Sequence, residues 1–149
     1  MSGRKPRSGR TALIGVILII TAAVWGIVRF TANGGSKISG ATNEERVRYI
    51  ESFGWDSDTV PSDIEEVRIP SRFDEAYEQY NALQKEQGFD LRKYRACYAK
   101  KYTYPIRNFD GADPAVPICA NLLVIDGEIV GADISSAEAN GLVTVLAKK

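Results

Sequence analysis

Tyr94, Tyr98, Tyr102 and Tyr104 are separated by even numbers of residues, so in an extended strand all four point the same way. Each ring joins an apolar face to a polar tip, and an exposed row of them can stack on a sugar or grip a peptide. These four are the candidate ligand or partner face. Covered by helices, the same row is core with its hydroxyls at the rim. The helices read below need a partner surface for Phe53, Phe73 and Tyr77, which favours the covered arrangement.

Acids supply the other candidate chemistry. Asp56, Asp58, Asp63 and Glu65 form a cluster whose oxygens can hold calcium, but the spacing does not match an EF-hand loop. A solvated turn is the simpler account, and Asp110 with Asp113 reads the same way. The chain has no histidine, which removes the commonest general base and metal ligand together. Its two cysteines cannot make a structural zinc site without further nitrogen or sulfur ligands. No phosphate-cradling, dinucleotide or nucleophile-elbow glycine motif occurs. No catalytic residue, metal ligand or cofactor site is assigned. What remains for catalysis is a carboxylate pair.

These side chains must be positioned by about 108 residues, because the first part of the 149-residue chain is of another kind. Residues 1–43 carry six basic groups and no acid, whereas residues 44–149 carry 13 basic groups against 19 acids, a net of −6. That balance excludes a basic nucleic-acid binder. Thr11 to Val28 runs 18 residues without a charge, about 27 Å as a helix against a hydrocarbon core of ~30 Å. Arg29 and Phe30 extend it to a transmembrane anchor at 11–30. Arg4, Lys5, Arg7 and Arg10 precede it, so residues 1–10 are a cytoplasmic tail and the rest lies outside the cell. The run is longer than a signal-peptide core and no small-residue site follows closely, which favours an uncleaved anchor over a cleaved signal. Residues 31–41, with three glycines, read as a flexible linker of ~18 Å reach.

Residues 42–149 read as one α+β domain, two helices packed on a mainly antiparallel sheet. Thr42 and Glu45 make a capping box before the stripe Val47, Ile50 and Phe53, and Gly54 stops that helix with Trp55 folding back on the stripe. Ile64 to Pro70 is a short strand. A second helix from about Ser71 to Gln87 is capped by Ser71 and Asp74 and ends at Gly88. Strands follow at Tyr94–Tyr104, at Ile118–Ile125 and at Leu142–Leu146. Asp126-Gly127 predicts a type I′ hairpin pairing Ile125 with Glu128, Leu123 with Val130 and Cys119 with Ile134. Bridging Cys97 to Cys119 would centre the preceding connection on Asn108, but its turn residues Asp110 to Pro114 lie three or four positions later. Two free thiols, suited to small buried positions, are therefore expected.

Four stretches, NEERVRYIESFGW (43–55), YNALQKEQGFDLRKY (80–94), KYTYPIRNF (101–109) and ANLLVIDGEIVGADISS (120–136), together resemble the bacterial family known as domain of unknown function 4830. The resemblance implies a small anchored or secreted protein with no assigned activity. The expected function is thus a membrane-anchored extracytoplasmic binding or interaction module, without catalysis or cofactor. Its partner is an unknown protein or an envelope ligand, and not nucleic acid. The alternative is a cell-envelope enzyme using a carboxylate pair.

Overall fold

The computed structural model describes residues 36–111, 113–138 and 141–147. The basic tail, the expected transmembrane helix at 11–30 and the first residues of the linker lie outside the described residues. Among those described, no helix is long and apolar enough to cross a membrane.

Helix α1 spans Asn43–Glu51, and its capping box is present. Thr42 Oγ1 accepts from the Glu45 amide at 3.3 Å while Glu45 Oε2 accepts from the Thr42 amide at 3.0 Å. Helix α2 spans Glu75–Glu86 and is capped by Asp74, whose side chain accepts from the Tyr77 amide at 2.8 Å. Ser71 therefore lies outside this helix. The residues between include Phe73, whose ring is turned onto Tyr77 with centroids 4.6 Å apart.

Five strands follow the order β1 (Asp63–Arg68), β2 (Tyr98–Pro105), β3 (Ile118–Ile125), β4 (Glu128–Ser136) and β5 (Val143–Thr144), every neighbour antiparallel. Strand β2 starts later than the tyrosine parity suggested. Tyr94 ends a short 3-10 turn, Leu91–Tyr94, capped by Asp90, and Ala96 takes a positive φ of 62° that redirects the chain. That local turn removes Tyr94 from the row.

At the hairpin, Asp126 and Gly127 have φ of 49° and 77°, as a type I′ turn requires, and Ile125 pairs with Glu128. The register then shifts between Leu123 and Val124, so Leu123 faces Gly131 and Cys119 faces Ser135, not Val130 and Ile134. Packing explains the bulge. A Cβ opposite Leu123 would meet Gln84 Oε1 at 3.2 Å, Leu123 Cδ1 at 3.2 Å and Leu91 Cδ2 at 3.3 Å. The extra residue, Val130, brings glycine to that spot.

The sheet is covered by one helix on each face, so the two helices do not share the tyrosine side as expected. Val47 and Ile50 of α1 pack with Trp55, Tyr104, Ala120, Leu122 and Ile134, and Phe53 joins them. Phe73, Tyr77 and Tyr80 pack on the other face with Ala99, Leu123 and Val130. The alternation of β3 makes this possible: even positions face α1 and odd positions face α2.

Both thiols are free, as expected. Cys119 pairs with Pro105, which centres the connection on residue 112, four positions beyond the centre a bridge needs. Cys97 is exposed, contrary to its reading as a small buried residue, because it lies in the turn before β2.

The sheet's two edges differ. Along β4 the outward backbone groups are occupied. Ile129 N donates to Ile38 O at 2.8 Å and Gly40 N to Gly127 O at 2.9 Å, so the last part of the linker is docked on the sheet. Ala132 N donates to Gln84 Oε1 at 2.9 Å, and Ala132 O accepts from Gln87 Nε2 at 2.7 Å. Strand β5 pairs with Ile134 and Ser135. Strand β1, at the other edge, has β2 as its one strand neighbour among the described residues.

Candidate functional site

Helix α1 has nine residues, about 13 Å of helix, and β2 has eight, about 26 Å of strand. The helix therefore covers only one half of the tyrosine side. Under it, Tyr104 is fully buried. Its hydroxyl donates to Asn43 Oδ1 at 3.0 Å and accepts from Arg46 Nε at 2.9 Å. Burial pushes the Tyr104 phenol up, and the adjacent Arg46 cation works against that rise.

Arg46 is itself buried, 6% exposed. Its Nη1 donates to the carbonyls of Gly40 at 2.7 Å and Ala41 at 3.2 Å, and its guanidinium lies 3.7 Å from the centroid of the Tyr102 ring. Among the described residues no carboxylate pairs with it. Carbonyl dipoles and the π face hold the charge instead.

Beyond Tyr102 no helix covers the sheet among the described residues, and a groove of about 580 Å³ opens. Tyr98, Lys100 and Tyr102 of β2 and Val124 of β3 form its floor. Glu66 stands on the β1 side, and Gly40-Ala41 with the Asp126-Gly127 turn make the opposite wall. Tyr98 is 59% exposed, with the Arg68 guanidinium 5.8 Å from its ring. The structure thus splits the candidate face three ways. Tyr98 and Tyr102 line the groove, Tyr104 is core, and Tyr94 packs in the cluster on the opposite side of the sheet.

That opposite side holds a polar network the sequence reading missed. Asp133, 6% exposed, accepts from Tyr80 OH at 2.7 Å and from Asn121 Nδ2 at 2.7 Å. Asn121 Nδ2 also donates to Ser135 Oγ at 2.8 Å, and its Oδ1 accepts from Thr103 Oγ1 at 3.0 Å. Burial raises the Asp133 carboxyl, although these hydrogen bonds and the charge of Lys101 oppose it. Burial and the neighbouring Asp133 charge push the Tyr80 phenol well up. The signal in sequence was the alternation in GADISS, where Ala132 and Ile134 are apolar and Gly131, Asp133 and Ser135 are not. For Arg46 it was helical spacing, since positions 46, 50 and 53 share one face.

The acidic cluster is dispersed. Arg107 is clasped by Asp56 and Asp58, while Glu65 is paired with Lys101 on the sheet. Asp113 caps its own turn, accepting from the Ala115 amide at 2.9 Å, and Asp110 is exposed. Among the described residues no three acid or thiol side chains converge as a metal site. A smaller cavity of about 300 Å³ lies by Trp55 and Phe109, whose rings stack with centroids 5.7 Å apart. Trp55 packs with Val47 and Ile50, as its position after Gly54 suggested.

The family described as Domain of unknown function (DUF4830) matches residues 49–134. The match takes in the groove floor and the Asp133 network up to Asp133 itself, and it leaves out Ser135, Arg46 and the Gly40-Ala41 wall. No curated protein and no solved structure matches the chain.

Proposed function

The chain belongs to the DUF4830 family, and from that premise we propose a membrane-anchored extracytoplasmic module that binds, without catalysis, an envelope ligand or protein partner in the tyrosine groove. The observation that carries this reading is Tyr98. It is a large aromatic left 59% exposed beside a concave surface whose other floor residues are part of the packed sheet. An aromatic platform with Lys100 and Glu66 at hand suits a ligand that has an apolar face and polar edges, such as a sugar ring or a peptide. Anchoring is supported by the uncharged run before the domain and the basic residues that precede it.

Non-catalysis is supported by where the acids lie. Asp133, the acid with the raised pKa, has both oxygens occupied by Tyr80 and Asn121. Glu65, Asp56 and Asp58 are paired with cations. A carboxylate-pair enzyme remains the alternative, and Asp133 would be its acid.

The test is photocrosslinking in intact cells from a reactive side chain at position 98, with position 72 as a control. A discrete adduct from 98 and none from 72 is expected, together with cleavage of the domain by protease added outside protoplasts. Equal capture from both positions overturns the groove reading. A domain untouched by external protease overturns the topology.

A further inference from the structure

We propose that two copies of this chain join edge to edge through β1, continuing the sheet across a two-fold axis centred on Val67. The backbone comes first. Ile69 N donates to Cys97 O at 2.9 Å and Ala96 N donates to Ile69 O at 3.0 Å, so both polar groups of Ile69 face the β2 side. Antiparallel alternation then turns Val67, Glu65 and Asp63 the same way, and aims the N–H and C=O of Ile64, Glu66 and Arg68 outward. Among the described residues no strand of the sheet lies beyond them, whereas the outer edge of β4 is occupied by Ile38, Gly40, Gln84, Gln87 and β5. An open row of backbone donors and acceptors is a template for another strand.

Side chains select the occupant. In a symmetric antiparallel pairing the residue at the axis meets its own copy, so each register can be checked for charge. Centring on Ile64 sets Glu65 against Asp63. Centring on Glu65, Glu66 or Arg68 sets like charges directly opposite, which is unfavourable. Centring on Val67 puts Val67 against Val67, and Glu66 of each copy against Arg68 of the other. This is the one register of the five without facing like charges. Pro70, which has no N–H, ends the ladder on either side. Glu66 would then lie between Lys100 of its own sheet, its partner in register, and Arg68 of the second copy. The two-fold stands perpendicular to the sheet and keeps both tyrosine grooves on one side of it. The proposal does not depend on what the groove binds.

The test uses the full-length chain in mild detergent with Cys97→Ser and Cys119→Ser as background. Val67 is in a non-hydrogen-bonded pair at the axis, where α-carbons lie about 4.5 Å apart, within reach of a disulfide. Under mild oxidation Val67→Cys is expected to give a disulfide dimer, with Glu65→Cys giving at least about fivefold less, since that residue faces Ile69 of the second copy. Glu66→Arg should weaken dimerisation about tenfold or more by sedimentation, and Arg68→Glu in the same chain should restore it. The proposal is overturned by no trapping at position 67, by preferential trapping at position 65, by a double reversal that fails to restore the dimer, or by a sedimenting monomer.

Discussion

On the α1 side of the sheet the buried contacts include Val47, Ile50, Trp55, Leu122 and Ile134, and the one buried charge among the described residues is Arg46. On the α2 side Asn81, Gln84, Asn121 and Asp133 are buried among fewer apolar residues. The first face is held by apolar burial and by a cation that carbonyls and a ring have satisfied. The second is held by a polar network, so its helix depends on directional bonds. Asn81 Oδ1 accepts from the Leu91 amide at 2.8 Å, Gln84 from Ala132, and Tyr80 donates to Asp133. Gln84 Nε2 is buried and has no partner among the described residues, so within them this network is incompletely satisfied. A face of this kind specifies where a helix sits while adding less stability per residue.

Four measurements test that contrast. Leu122→Ala, at a fully buried position on the α1 side, is expected to cost about 2–5 kcal/mol in chemical denaturation through lost burial and a cavity. Gln84→Ala leaves the Ala132 amide without its acceptor and should cost about 1–3 kcal/mol. If the second loss matches or exceeds the first, the two faces are not different in kind.

Asp133→Asn tests the network through pH. Burial holds the Asp133 carboxyl above its usual 3.8. Below that value both folded and unfolded chains keep the proton, and the neutral buried acid contributes in full. As pH rises through the raised folded value, the folded chain must ionise a buried group and the contribution is lost. The stability of the native chain relative to Asp133→Asn should therefore fall from acid toward neutral pH. A flat difference in melting temperature, or one of opposite sign, contradicts the raised carboxyl. The smallest effect is expected from Tyr98→Ala, within about 0.5 kcal/mol of the native stability, because the ring supports neither core. A large loss would make Tyr98 a packing residue and remove it from the groove's chemistry.

Local signals were legible in the chain because they act within a few residues. Thr42 and Glu45 cap α1, Asp74 caps α2, and Asp126-Gly127 closes the hairpin, each through a backbone demand that few side chains meet. The parity of Tyr98, Tyr102 and Tyr104 was equally plain, and so was the turn position that keeps Cys97 from Cys119. Tyr94 failed because a short 3-10 turn and the positive φ of Ala96 override strand parity. The register beyond the hairpin failed because the bulge at Val130 answers to Gln84 and Leu91, which arrive from 46 and 39 residues away.

Tertiary structure alone decided which helix lies on which face, since both helices carry an apolar stripe and the sheet offers two apolar sides. It also decided that Tyr104 is core while Tyr98 is open. Those two residues have the same type and the same parity, and they differ because a nine-residue helix is half as long as the strand it covers. Burial of Arg46 and Asp133 was decided the same way. A charge enters a core only where partners from distant segments converge on it, and convergence is a property of the fold that no single stretch of sequence carries.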